Sequence, residues 1–303
     1  MNYKAPIFIG GTGRSGTSIL IRLLAQHPEI FAIRWESQFL VANNGLIDLV
    51  TTIGNKEQKF KKFKHRMETH WYKRVVNKGK PNEYNAGLVV DVSRENLDRF
   101  YTHLENRIQK KIDLSEPKFI RELLNILFSE KQKKEGAIRF CEKTPSNVLY
   151  MLELQKIYPN MKFINIIRDG RDVISSIVNK KIWPVGANAK FPQTLEFKGE
   201  QKPLLVAKYW KTIMEISDQL SSMLPEENYL EIRLEDLVYQ KETIIKKLMD
   251  FLGHDIVPEL LDFKLDDSSF GRWQTDKQIM DNIDEINTII SSMMEQKNYF
   301  LKS

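Results

Sequence analysis

The sequence holds a single cysteine, Cys141, in 303 residues. No intramolecular disulfide can brace the fold, and a reducing compartment is compatible with it. No stretch approaches the ~18 consecutive apolar residues of a membrane-spanning helix. The opening Met-Asn-Tyr-Lys-Ala-Pro runs straight into an apolar strand, without the apolar region and cleavage site of a secretory signal. A soluble, cytoplasmic protein is the expectation. Neither sign of charge dominates: 46 Lys and Arg against 40 Asp and Glu leave +6. That surplus suits an anionic ligand and is too small to imply nucleic acid. Internal repeats and low-complexity tracts are absent, and no His/Cys/Asp/Glu group has metal-ligand spacing. Neither a bound metal nor a nucleic-acid partner is therefore expected. What remains, 42% hydrophobic and 28% charged residues, is ordinary globular composition, enough for one large domain spanning 1–303.

Apolar patterning predicts an α/β fold. Residues 6–10 (PIFIG) read as a buried strand ending in glycines. Ile19, Leu20, Leu23 and Leu24 then share one helical face, with Pro28 beyond the stop. Residues 43–135 read as a mostly helical, acceptor-side insertion. Within it, 56–80 carries ten Lys or Arg against two acids, interleaved with Phe60, Phe63, Trp71 and Tyr72. This stretch is either a solvated amphipathic face or a cap over an anionic ligand. Alternation then resumes: a strand at 137–141, a helix at 146–158, a strand at 163–167 and a helix from 170 to 180. Residues 182–203, rich in Pro and Gly, read as a long loop over a site. Helices are expected at 204–223, 241–252 and 276–297, with a strand at 229–233. Such alternation argues for a mainly parallel sheet flanked by helices.

Between the first strand and helix lies Gly10-Gly11-Thr12-Gly13-Arg14-Ser15-Gly16-Thr17-Ser18. Glycines let backbone curl round a phosphate, and the helix start offers unpaired N–H donors. Nucleotide hydrolases use GxxxxGK[ST] for this purpose. Here the lysine position holds Thr17, and the loop's cation is Arg14 instead. Such a loop is poorly equipped for β- and γ-phosphates with a metal but suits a phosphosulfate. A second anion site follows the 163–167 strand, in Arg168-Asp169-Gly170-Arg171-Asp172, with Ser175 and Ser176 in the next helix.

The run FIGGTGRSGTSILIRLLAQHPEI resembles the 5'-phosphosulfate segment of the PAPS-dependent sulfotransferases (PAPS is 3'-phosphoadenosine 5'-phosphosulfate), especially the tyrosylprotein-sulfotransferase-like and bacterial branches. The resemblance covers about 5–40, 137–182 and 205–275. It implies a P-loop-type fold and sulfuryl transfer from PAPS to an acceptor hydroxyl or amine. It makes Gly13, Arg14, Ser15, Gly16, Thr17 and Ser18 the 5' cradle. Arg168 and Ser176, eight residues apart, match the family's 3'-phosphate site, and Lys180 falls where relatives carry another basic residue. Cys141-Glu142-Lys143-Thr144-Pro145 resembles the segment carrying the catalytic lysine, here Lys143. Trp35-Glu36-Ser37-Gln38-Phe39-Leu40 resembles the segment carrying the general base, here Glu36. Trp210 falls on a helix where the family often has tryptophan. Leu234 replaces a nucleotide-contacting tyrosine in an otherwise similar RLEDLV segment. Gly271-Arg272-Trp273 resembles a late element over the cofactor, making Arg272 a further contact.

Sulfuryl transfer resembles phosphoryl transfer, in which the protein positions reactants and stabilises negative charge. Arg14 and Lys143 would meet charge on the leaving oxygen without a metal. Glu36, beside cations, should stay ionised. The alternatives are a P-loop kinase or NTPase and a non-catalytic nucleotide-binding protein of the same fold. A carbohydrate, small molecule, lipid or tyrosyl peptide are all open as acceptor.

Overall fold

The computed structural model describes residues 3–33, 35–76, 84–180 and 202–299. In chain order the elements are β1 (Ile7–Gly10), α1 (Thr17–Leu24), β2 (Ile30–Ala32), α2 (Leu46–Thr51), α3 (Lys56–Arg66), β3 (Arg74–Val76), β4 (Tyr84–Ala86), α4 (Arg94–Gln109) and α5 (Pro117–Lys134). They continue with β5 (Arg139–Lys143), α6 (Met151–Ile157), β6 (Lys162–Ile167), α7 (Gly170–Lys180), α8 (Lys202–Ser221), β7 (Tyr229–Arg233), α9 (Leu234–Tyr239), α10 (Lys241–Leu252), α11 (Pro258–Asp262), α12 (Lys277–Met280) and α13 (Ile283–Gln296).

Five strands form one parallel sheet in the order β2-β5-β1-β6-β7. β1 sits at its centre, with Ile9 opposite Lys143 on one side and Ile164 on the other. Its residues are buried on both faces, as a doubly covered parallel sheet requires. Phe8 and Phe163 face a core shared with α3, α4, α5 and α6. Ile7, Ile9, Cys141, Ile164 and Ile166 face a second core under α1 and α10. A third joins α7, α8 and α13. The α/β class read from the sequence is the one observed.

Helix ends follow local chemistry. Asn55 accepts from the Gln58 amide at 2.9 Å to start α3, and Ser93 accepts from Asn96 at 3.2 Å to start α4. α10 stops at Gly253, whose φ of 64° lets its own amide and that of His254 bond back to Asp250 and Met249. Phe60 and Phe63 of α3 are buried while Lys61 and Lys62 are exposed, and Lys56 caps the last carbonyls of α2. Over its described residues, the basic stretch is thus mainly an amphipathic, solvated face. Arg66 is the exception taken up below.

Several boundaries differ from the sequence reading. The strand expected at 137–141 is β5 at 139–143, because the amides of Ile138 and Arg139 both turn to the Glu29 carbonyl. The helix expected at 146–158 is a 3-10 turn, Pro145–Leu149, followed by α6. That expected at 276–297 is α12 and α13, broken at Asn282, whose φ is −124°. The helical stretch 43–135 also contains an antiparallel pair, β3 with β4. The long loop expected at 182–203 lies almost wholly outside the described residues.

Candidate active site

Parallel strands place their carboxyl ends together, and ligands bind beyond them. Gly10 ends β1, Lys143 ends β5 and Ile167 ends β6. Their continuations line one cleft of about 1380 Å3.

The β1 continuation is the glycine loop. Gly13, Arg14 and Gly16 take φ values of 77°, 58° and 102°. Left-handed residues turn backbone amides toward a common centre, and for Arg14 that conformation carries strain. The loop lies so close to its surroundings that a Cβ on Gly11 would come within 2.6 Å of the Ile166 carbonyl oxygen. No side chain caps α1 at Gly16, which leaves its first amides for a ligand. Ser15 is fully buried and its hydroxyl has no hydrogen-bond partner. Below the loop, the Tyr209 hydroxyl donates to the Thr12 carbonyl at 3.1 Å. These features fit a bound 5'-phosphosulfate: open amides, a tight cradle and a resident cation.

The β5 continuation brings the second cation. Lys143, almost fully buried, donates to the Ser18 hydroxyl at 3.1 Å and to Glu36 Oε1 at 3.0 Å. Gln38, in a left-handed conformation with φ 52°, donates to Glu36 Oε2 at 3.0 Å. The Glu36 carboxylate is thus held by two donors while its side chain is 36% exposed. Arg14, Lys143, Ser18 and Glu36 form one constellation. Burial and the nearby Arg168 charge lower the pKa of Arg14, while Glu36 opposes them.

The β6 continuation brings the residues expected to form a second anion site. Arg168 is buried and bonds the Arg14 carbonyl at 3.4 Å, the Ser269 carbonyl, and Asp172 at 3.4 Å. Ser176 accepts from Arg14 Nε at 3.0 Å, so the two ends of the cleft are joined directly. A C-terminal segment folds over this end. Asp172 accepts from the amides of Gly271 at 2.9 Å and Trp273 at 3.4 Å. Burial raises the Asp172 pKa, against the lowering charge of Arg168. Asp276 accepts from Ser175 at 2.7 Å and Asn179 at 2.5 Å. Arg272 lines the cleft from this segment and is exposed. Trp273 packs beneath the Arg171 guanidinium at 4.3 Å, and Trp210 is buried against Gly170.

The fold therefore brings together Gly13, Arg14, Gly16, Thr17, Ser18, Glu36, Arg168, Ser176 and Arg272 as cleft-lining residues, with Lys143 bonded to Ser18 and Glu36. Ser15 belongs to the loop but is buried beneath it. The Lys180 side chain lies outside the described residues. Leu234 lines the cleft and lies against Gly16, so this wall is apolar where the resemblance implied a tyrosine. The sequence motifs contained Gln38 and Asp172 without giving either a role, and Asp276 and Arg66 were missed as site residues. Arg66 lines the cleft with its guanidinium 5.3 Å from the Trp71 ring; only its place in the basic stretch hinted at this.

Sequence spacing showed no metal-ligand cluster, yet the fold gathers three side chains of ligand type. Ligand atoms of His27, Glu29 and His254 lie within 4.8 Å of one another, at the opposite end of the sheet from the cleft. Both His27 nitrogens are engaged there. Nδ1 accepts from the Glu29 amide at 3.1 Å, and Nε2 bonds the Asp255 carbonyl at 3.1 Å. His254 Nδ1 bonds Glu29 Oε2 at 2.8 Å. The cluster braces the start of β2 against the segment after α10.

Residues 6–259 match the sulfotransferase family. Among curated proteins, protein-tyrosine sulfotransferase A of Caenorhabditis elegans is 23% identical over 247 residues, covering 81% of this chain and 49% of that protein. Protein-tyrosine sulfotransferase 2 of Gallus gallus is 23% identical over 82% of this chain and 50% of its own length. The chain thus spans about half the length of the curated relatives it matches. Among solved structures, the sulfotransferase domain of the Synechococcus PCC 7002 olefin synthase aligns with 99% of this chain and 97% of its own, with a TM-score of 0.56 and 16% identity. That likeness is one of fold.

Proposed function

The chain belongs to the sulfotransferase family, and on that premise we propose that it transfers a sulfuryl group from PAPS to an acceptor hydroxyl by in-line displacement. The observation that carries the reading is the Lys143 ammonium, bonded at once to Ser18 of the phosphate loop and to Glu36. It puts a buried cation between the group that would hold the donor and the group that would take the acceptor's proton.

The loop amides, Thr17 and Ser18 would hold the 5' end, and Arg168, Ser176 and Arg272 the 3'-phosphate. PAPS supplies the sulfuryl group and a phosphate leaving group. Arg14 and Lys143 stabilise negative charge gathering on the leaving side. Glu36 accepts the acceptor proton at its carboxylate, kept in place by Gln38. Two fixed cations supply this stabilisation, so the reading invokes no metal. The relatives' names make a tyrosyl hydroxyl the first acceptor to try, with sugars, lipids and small phenols after it. A cytoplasmic site of action is part of the same proposal, in keeping with a single, buried thiol.

The test is ligand-dependent stability followed by transfer. PAP, the 3',5'-bisphosphate product, should raise the melting temperature, since only a ligand of the folded state stabilises it. Labelled PAPS should then mark one class in an acceptor screen. A response to ATP with magnesium and none to PAP would overturn the reading in favour of a nucleotide hydrolase or kinase.

A further inference from the structure

One buried carboxylate near the cleft has no part in the chemistry just described. Glu142 precedes Lys143 on β5, is 1% exposed, and points to the opposite face of the sheet. Its Oε1 accepts from the Ser37 hydroxyl at 2.6 Å and from the Thr144 hydroxyl at 2.6 Å. Its Oε2 accepts from Asn147 Nδ2 at 2.6 Å, and the same amide also donates to the Ile9 carbonyl at 3.0 Å. Thr144 Oγ1 in turn accepts from the Gln38 amide at 3.2 Å.

From this network we infer that Glu142 is a positioning residue for Glu36, tying the 35–38 segment to the strand end that carries Lys143; the inference rests on the sulfotransferase reading of that site. The two residues after Glu36 are tethered to Glu142, Ser37 directly and Gln38 through Thr144. Gln38 then reaches back from its side chain to Glu36 Oε2. Glu36 is itself partly exposed and follows β2 by only a few residues, so beside its bond to Lys143 its height over the cleft depends on how the 35–38 segment is held. Because Glu142 and Lys143 are consecutive in one strand, the anchor and the catalytic cation move together. A carboxylate suits this place because all three neighbours arrive as donors, and only a pure acceptor satisfies them at once. Burial raises the pKa of Glu142, and the three donors and Lys143 oppose that rise.

Glu142→Gln is the direct test, since its amide nitrogen must face one of the donors. Serine 37 to alanine, Ser37→Ala, is the milder companion should that variant fold poorly. Hydrogen exchange of the full chain should rise at the amides of residues 37–39 in both variants and stay unchanged in α1 and β6. PAP affinity, by calorimetry, should stay within about twofold. With the best acceptor from a panel of a phenol, a tyrosyl peptide and a sugar, kcat for Glu142→Gln should fall roughly tenfold to a hundredfold. In a Glu36→Gln background, the same change should cost nothing further, because its effect passes through Glu36. Unchanged exchange at 37–39, or a full additive loss in the double variant, would overturn the inference. A wild-type chain that binds no PAP and transfers to no acceptor would instead sink the functional reading, and the exchange result would still decide where Glu142 acts.

Discussion

Lys143 and Glu36, 107 residues apart in sequence, meet at 3.0 Å with the lysine side chain only 5% exposed. A buried ammonium needs its partner, since an unpaired charge in such a place is costly. The pair therefore fixes both groups before any substrate arrives. Removing the cation should be felt mainly in the rate. Lys143→Ala is expected to lower kcat about 10²–10³-fold, the range for losing one preorganised charge-stabilising donor. PAP affinity should fall far less. Lys143→Arg should restore only part of the rate, because a planar fork does not replace a point charge between Ser18 and Glu36. Single-turnover rates with labelled PAPS, beside PAP calorimetry, check this; a Lys143→Ala variant within threefold of wild type would remove Lys143 from the chemistry.

Glu36→Gln separates proton transfer from cofactor binding. The amide keeps the shape of the side chain and can still accept from Lys143 or Gln38, but it cannot take a proton from an acceptor hydroxyl. General-base loss is worth about 10²–10⁴-fold in kcat. The dissociation constant for PAP should hold or tighten slightly, since a negative charge beside the donor site has gone. The measurement is kcat against PAP affinity in one preparation. A variant with full activity would transfer the base assignment elsewhere in the cleft.

Arg168 should govern discrimination between nucleotides. Its guanidinium bonds the Ser269 carbonyl, with Asp172 holding it in place, and it lines the same cleft as Ser176 and Arg272. Arg168→Ala should weaken PAP by about 1.5–3 kcal/mol, a charge-assisted contact. Adenosine 5'-phosphosulfate, which lacks the 3'-phosphate, should lose much less. Competition titrations with both nucleotides test it. Equal weakening of the two would place Arg168 at the 5' end or in a purely structural role.

The parts of this site that were legible in the sequence are those whose chemistry is local. The phosphate loop lies within nine residues, and Arg168 and Ser176 are separated by two helical turns, so strand, turn and helix patterns carried both. Glu36 and Lys143 came through family resemblance rather than spacing. What stayed hidden is set by long-range contact. Gln38, Asp172 and Asp276 act through partners from 2 to 101 residues away, and no composition signal links such pairs. The β5 boundary slipped by two residues because Ala137 and Ile138 are apolar enough to read as strand. Their segment is instead pinned by the Glu29 carbonyl before pairing begins. β2, β3 and β4 are three residues each, too short for a period of two to show.

The brace between Glu29 and His254, 225 residues apart, predicts a loss of stability in acid. Burial lowers the His254 pKa from 6.5 to about 4, and its bond to Glu29 only partly offsets that. Glu29 is itself held below its ordinary value, chiefly by the bond from His254. For the histidine the sign follows directly. Below pH 6.5 the unfolded chain takes up a proton that the folded chain refuses until about pH 4, so the unfolded state gains as pH falls through that interval. The depressed carboxylate works in the same direction at lower pH, where the unfolded chain binds its proton first. Melting temperature should be flat above pH 7 and decline between 6.5 and 4. His254→Asn keeps a donor toward Glu29 but does not titrate, so its decline should be shallower over that interval. Melting curves of both proteins across pH 4–8, without ligand, decide it: parallel declines would show that His254 does not set the acid limb.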